Sequence, residues 1–386
     1  MLLKRIGRIA ISLTFVLSFI LNIPAVAAAP AQAGGGGNNA RPVCPGPAAP
    51  GDTRCHAWAK PNASKSPVGL TPAQMKAAYG FSTSSTAGAG MTIAIVDAYD
   101  LPTAENDLNV FSSTLGLPPC TTANGCFTKV NQTGGSKYPR YNAGWGLEIA
   151  LDIEWAHAIA PGAKILLVEA STNSFANLLA AEAYAAAHAN YVSNSWGGSE
   201  FSGETGYDSY FYKSGVSFFV SAGDAGLPAE YPSASPYVIS VGGTTLNFNG
   251  STLVSETGWS SGGGGCSVYE TATPAQAAFS GYSQVSCGGK RATPDVSLDA
   301  DPNSGAAVYD SSKYNGQKGW YQVGGTSLSS PMWAGRAAVS GAAVNSAYVY
   351  GNSISFRDIT SGNNGAACLV GFDLCSGRGS WKGATP

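Results

Sequence analysis

Gly324-Gly325-Thr326-Ser327-Leu328-Ser329-Ser330-Pro331 sets a serine hydroxyl between paired glycines and the start of an apolar helix, which is a setting for a nucleophile. The glycines permit close backbone approach, and Pro331 reads as the first turn of a helix whose free N–H groups favour developing negative charge. On this reading Ser327 presents an exposed hydroxyl. Such a serine needs a proton acceptor, most often histidine. The chain offers only His56, His157 and His188, none in a His-Gly-Thr-His motif. It offers instead Glu148 and Asp152, two carboxylates four residues apart and so on one helical face. Neighbouring acids resist ionising together and share a proton over an acidic range, so Glu148 can take the serine proton while Asp152 orients it. Asp224, on the glycine-flanked turn Ser221-Ala222-Gly223-Asp224-Ala225-Gly226, can when protonated donate to the oxyanion of a tetrahedral intermediate.

Each piece has a plainer explanation when taken singly. An i,i+4 acid pair is most often a solvated helix face, and Ser-Ala-Gly-Asp an ordinary turn. Ile149, Leu151 and Ile153 around the acids argue against a solvated face. His157 is a rival base beside the acids, although a structural histidine is its commoner role.

The elements that must position these groups alternate in type. Strands are expected at 92–98, 165–169, 191–195 and 216–221, and helices from Pro102 through Phe111, at about 143–159 and at 175–189. That rhythm makes an α/β fold with a mainly parallel central sheet between helices. Ligands of such sheets gather at the carboxyl ends of strands, where Asp97, Ser195-Trp196-Gly197-Gly198 and Ser221–Asp224 fall.

The 386 residues are 44 % hydrophobic, enough for one large domain, and only 11 % charged. A net charge of −2 without a basic cluster gives no footprint for nucleic acid. Sparse charge also suits an acidic medium, where few carboxylate pairs are lost on protonation. Lys4, Arg5 and Arg8, an apolar run over 9–23 and small residues after it form a signal peptide over 1–33, cleaved between 27 and 33, which implies secretion. No later segment is long enough to span a bilayer, so no stable membrane association is expected. Residues 34–68, rich in Gly and Pro, read as an irregular lead-in or short proregion, and 69–386 as the folded domain, opening on a helix near Thr71-Pro72. Eight cysteines in four close pairs, 44/55, 120/126, 266/287 and 368/375, read as disulfides, although many connectivities are possible. Zinc lacks a Cys-x-x-Cys motif to hold it.

From about Gly69 to Gly379 the chain resembles the sedolisins, serine-carboxyl peptidases of subtilisin-like fold. The resemblance rests on Gly-Gly-Thr-Ser-x-x-x-Pro at Ser327, Glu148-x-x-x-Asp152, Ser-Ala-Gly-Asp at 221–224, and the segments 231–236, 241–244 and 294–302. It implies a subtilisin-like three-layer fold and a Ser327–Glu148–Asp152 triad, with Asp224 at the oxyanion. It further implies a proton network through Asp97 and Trp196, and pairing of an extended polypeptide substrate with the backbone of Ser195, Trp196, Gly197 and Gly198. A calcium ion is expected through Asp358, Ile359, Leu369, Gly371 and Asp373, with Leu369 standing where the family has glycine. The implied protein is a secreted monomeric endopeptidase, acting at acidic pH through an acyl-enzyme. Tripeptidyl release and a catalytically silent binding protein on the same scaffold are the alternatives. A subtilisin-type enzyme using Asp97 and a histidine lacks the glycine-flanked histidine. The family's long folded propeptide has as its counterpart only residues 34–68.

Overall fold

The Thr92–Ala98 strand is buried along nearly its whole length, as a strand covered on both faces must be, and it lies inside a ten-stranded sheet. This computed structural model describes residues 40–351 and 356–383; the expected signal peptide at 1–33 lies outside the described residues. Around Thr92–Ala98 run parallel Lys164–Ala170 and Phe127–Asn131 on one side, then Tyr191–Asn194, Ser217–Ser221, Ile239–Asn249 and Val296–Asp299 on the other. Thr252–Gly258 folds back antiparallel on Ile239–Asn249. With helices flanking the sheet, this is the three-layer subtilisin-like α/β fold. No helix among the described residues is long and apolar enough to cross a membrane.

Helix Ala143–Ile159, here called the acidic helix, starts at Asn142, whose side chain accepts the N–H groups of Gly144 and Trp145. Every residue from Trp145 to Ile159 is buried. A helix that is apolar nearly all round belongs in the interior, and this one packs against helix Thr326–Ser340 and strand Ala306–Tyr314. Helix Phe175–His188 packs on Thr92–Ala98 and Lys164–Ala170.

The helix Thr326–Ser340, here called the serine helix, lies on Tyr191–Asn194, Ser217–Ser221 and Val296–Asp299. Pro331 is inside this helix and not in its first turn, a correction to the sequence reading. Proline has no N–H, so the carbonyl of Ser327 one turn earlier loses its intrahelical partner. It accepts instead from the Ser195 hydroxyl at 3.4 Å, tying the serine helix to the end of a central strand.

The lead-in also differs from expectation, because part of it is strand and not irregular chain. Arg54–Cys55 pairs antiparallel with Trp196–Ser199, while Trp58–Ala59 pairs with both Arg41–Pro42 and the end of Gln317–Gly324. Backbone groups lying against the body need partners, and the two short edges supply them. The four neighbouring cysteine pairs are joined as disulfides, 44–55, 120–126, 266–287 and 368–375.

Candidate active site

Glu148 and Asp152 project from successive turns of the acidic helix, and both are 0 % exposed. Neither carboxylate oxygen of either residue has a fully formed hydrogen bond to the protein, nor do those of Asp97 at the end of its strand. Burial lifts Glu148 well above the ordinary carboxylate range, and the negative charge of Asp97 adds to the rise. The Ser327 hydroxyl faces this carboxyl and opposes the rise, as does the N–H of Ala57; Asp224 contributes further repulsion. Asp152 is raised by burial, then by Asp97 and Glu148, with the Ser195 hydroxyl working against them. Asp97 is pushed up to about 8 by burial. No cation figures among these influences, so the three carboxyls hold protons between them at acidic pH.

Ser327 is the second residue of the serine helix and is 0 % exposed, not open as the sequence suggested. The lead-in covers it. Its N–H donates to the His56 carbonyl at 3.3 Å, and its hydroxyl rests on the Ser195 carbonyl at 3.4 Å.

Asp224 takes the Thr326 N–H and hydroxyl on Oδ1, both at 2.8 Å, while its buried Oδ2 has no partner. Burial pushes this carboxyl up to about 6, against the opposing effects of His56, Thr326 and Arg54. Below that pH Oδ2 carries a proton and becomes a donor. Gly325, at φ 96°, is the floor of this space: a Cβ there would meet the His56 carbonyl oxygen at 1.9 Å, Ala57 Cα at 2.8 Å and Asp224 Oδ2 at 2.9 Å. Only glycine leaves room for a peptide group between Ser327 and Asp224.

Of the residues expected to bind substrate backbone, Ser195 accepts the His56 N–H at 3.1 Å, Gly197 pairs with Arg54, and Trp196 with Cys55. Gly198 pairs on the other side with Tyr231. The buried Trp196 indole donates to the Val96 carbonyl at 2.9 Å, one residue before Asp97, and not to the Asp97 carboxyl. His157 is remote from this cluster: its Nε2 meets the Pro118 carbonyl at 2.9 Å, and burial pulls it down to about 4.

The site roles of two groups, His56 and Glu230, escaped the sequence reading. The His56 ring lies between Ser221 Oγ, 2.7 Å from Nδ1, and Glu230 Oε2, 3.0 Å from Nε2. Burial raises the Glu230 carboxyl, but His56 and Arg54 outweigh it and leave it below its ordinary value. Gly197 forms the wall, since a Cβ there would stand 2.9 Å from the His56 ring. No motif marks His56 or Glu230; they meet Ser221 and Gly197 only through folding. An open cleft of about 620 Å³ lies beside the lead-in, lined by Arg41, Tyr99 and Trp145 among others. It is not over Ser327, where the lead-in fills the space.

The residues expected to hold calcium are occupied differently. Asp373 Oδ1 accepts the N–H groups of Cys375 and Ser376 and the Ser376 hydroxyl, and its Oδ2 accepts the Leu369 N–H at 2.6 Å. Asp358 Oδ2 accepts the Gly371 N–H at 2.9 Å. Ile359 is buried in a small cluster with Cys368 and Cys375. Donors converge where a cation needs oxygen acceptors, so this set as arranged does not fit a calcium ion.

The sequence matches the family described as "Subtilase family" over residues 141–353. Xanthomonalisin from Xanthomonas sp. (strain T-22) is 30 % identical, over 80 % of this chain and 45 % of that protein. Kumamolisin from Bacillus sp. (strain MN-32) is 29 % identical, over 82 % of this chain and 63 % of that protein. The chain thus spans about half the length of these relatives. Among solved structures, Pseudomonas sedolisin, a serine-carboxyl proteinase complexed with two molecules of pseudo-iodotyrostatin, superposes with a TM-score of 0.69 at 28 % identity, covering 82 % of this chain and 96 % of that one.

Proposed function

The chain belongs to the sedolisin/subtilisin-like peptidase family, and on that premise we propose that it is a secreted serine-carboxyl endopeptidase that hydrolyses polypeptides at acidic pH. One observation carries the reading: Ser327, the unpartnered carboxyls of Glu148 and Asp152, and the free Oδ2 of Asp224 surround one buried point that holds a peptide group.

Ser327 Oγ attacks the carbonyl carbon and Glu148 accepts its proton, with Asp152 and Asp97 keeping that carboxyl able to take and return a proton. The oxyanion is met by the Ser327 N–H and by protonated Asp224. Glu148 then protonates the leaving amine, and water releases the acyl group by the same steps. No step runs through calcium. Backbone pairing by Ser195–Gly198 on one side and by Val323–Gly324 on the other lets chain extend both ways from the reacting bond. On the amino side it continues through Thr53, bonded to Asn173, and Asp52, bridged to Ser174, which favours endopeptidase action over tripeptidyl release.

The test is digestion of unfolded casein across acidic and neutral pH by the chain and its Ser327→Ala variant. Acid-selective digestion is expected, lost by at least about 10³-fold in the variant. Undiminished digestion by Ser327→Ala removes this serine from the mechanism.

A further inference from the structure

We propose that Lys129 and Asp100 condense into an intramolecular isopeptide bond, with Glu169 between them carrying the protons. The bond is a covalent staple that fastens the edge strand Phe127–Asn131 to the chain leaving the central strand Thr92–Ala98. Ser327 takes no part in it.

Strand register delivers the three side chains to one place. Phe127–Asn131 is the last strand on its side of the sheet and pairs parallel with Lys164–Ala170, with Asn131 opposite Glu169. Lys129, two residues before Asn131, therefore shares a sheet face with Glu169. Asp100 follows the central strand, which flanks Lys164–Ala170 on the other side. The Lys129 ammonium is in direct contact with Asp100 Oδ1, lies 3.5 Å from Glu169 Oε1, and donates to the Leu101 carbonyl at 3.0 Å. The Tyr138 ring covers it, with its centre 4.2 Å from Nζ. Water is largely kept out: the Lys129 and Asp100 side chains are 12 % and 11 % exposed, and that of Glu169 is 0 %. Amine and carboxyl are thus held together in a nearly dry setting, where proximity replaces a chance encounter.

Glu169 is suited to move the protons. Its Oε1 accepts the Leu101 N–H at 3.1 Å, which fixes the carboxyl, while its buried Oε2 has no partner. Burial pushes this acid up to about 9 against the charge of Lys129, and Asp100 adds to the rise through its own charge and a shared hydrogen bond. Glu169 therefore presents a proton to the Asp100 carboxyl. A plain ion pair needs only Lys129 and Asp100; a third, protonated carboxyl is what condensation requires. The product also leaves nothing stranded. Its amide N–H keeps the Leu101 carbonyl, its carbonyl oxygen accepts from the Glu169 hydroxyl, and two nearly buried charges disappear.

In the reaction Glu169 gives its proton to the Asp100 carboxylate and takes one from the Lys129 ammonium, leaving a neutral amine beside a carboxylic acid. Lys129 Nζ bonds to Asp100 Cγ. A second proton passes from Nζ through Glu169 to the hydroxyl of the tetrahedral intermediate, the C–O bond breaks, and water leaves. Ammonium and carboxylate have become one amide and one water, and Glu169 ends protonated as it began.

The bond closes residues 100–129 into a ring that contains helix Ala104–Leu115 and the Cys120–Cys126 disulfide. A strand with one neighbour is the easiest to peel from a sheet, and a ring restricts the unfolded chain. An ion pair weakens when its carboxylate takes up a proton in acid, whereas an amide does not.

The purified chain, reduced, alkylated and digested with chymotrypsin, tests this by tandem mass spectrometry. Cleavage after aromatic residues such as Phe111 separates the two positions in an unlinked chain. The expected product is a branched peptide joining Asp100 to Lys129, lighter than the sum of its arms by one water, about 18 Da. Lys129→Arg, which keeps a cation beside Asp100 but removes the amine, yields only separate arms. Glu169→Gln lowers the linked fraction at least about tenfold. Separate arms of full mass from the unaltered chain overturn the proposal, and that measurement needs no variant to fold. Loss of water confined to the arm holding Asp100 is a succinimide and overturns it equally. Undiminished linking in Glu169→Gln overturns the part given to Glu169.

Discussion

Asp295 and Glu148 are equally hidden from water, yet their surroundings are opposite. Asp295 is clasped by the Arg291 guanidinium on both oxygens, by the Tyr350 hydroxyl at 2.5 Å and by the Ser240 N–H at 2.7 Å. Glu148 has no cation among its neighbours, only other carboxyls, a serine hydroxyl and one N–H. A buried carboxylate with a matched cation and full hydrogen bonding is a structural fixture. One left among its own kind must keep a proton, and a proton held by compulsion is available for transfer.

Substitution at each site sharpens that contrast. Glu148→Gln should lower casein hydrolysis by about 10⁴-fold while leaving the melting temperature at neutral pH unchanged or raised, since an ionisable group without a counter-charge has been removed. Asp295→Ala should do the reverse: stranding the Arg291 charge costs about 3–5 kcal/mol of stability by denaturant unfolding. Equal effects of both changes on stability would erase the distinction. Asp224 is intermediate, with one oxygen satisfied and the other free. Asp224→Ala should reduce kcat by about 10²–10³-fold, and the donor role predicts that activity of the unaltered chain declines as pH rises through about 6.

The pH dependence of folding follows with a definite sign. Asp97 and Glu182 are raised to about 8 and Glu169 to about 9, each chiefly by burial. Between the unfolded carboxyl range and these values the folded chain binds more protons than the unfolded one, so stability falls as pH rises. Melting temperatures measured in steps from acidic to mildly alkaline pH should therefore decrease; a rise across that interval would refute the protonated state of these buried carboxyls. The smallest effect concerns the loop around Asp373, whose carboxylate is already satisfied by N–H groups. Chelator treatment should shift the melting temperature by no more than about 2 °C, and a larger loss would mean the loop rearranges around a cation.

Local patterns made much of the fold legible. The boundaries of Thr92–Ala98 and of the acidic helix coincide with the sequence reading, because an apolar run and the Pro161-Gly162 pair just past the helix act over neighbouring residues, as does the Asn142 cap that the structure shows. Pro331 misled because the glycine pair places the helix start five residues earlier, and a proline is tolerated where the orphaned Ser327 carbonyl finds Ser195. The lead-in misled more deeply. Its glycines and prolines describe chain without order of its own, and its strand pairing is lent by edges more than a hundred residues away.

The sequence alone determined which groups could react: a serine framed by glycines, two acids on one helical face, and an aspartate on a tight turn, all matters of residue type and short spacing. Only the tertiary structure decided how they behave. Desolvation and the absence of counter-charge are set by segments distant in the chain, so the protons on Glu148, Asp152 and Asp224 could not be assigned from spacing. The same holds for Ser327, whose cover is a peptide bond contributed from position 56, a neighbour that only the folded path of the backbone brings within reach.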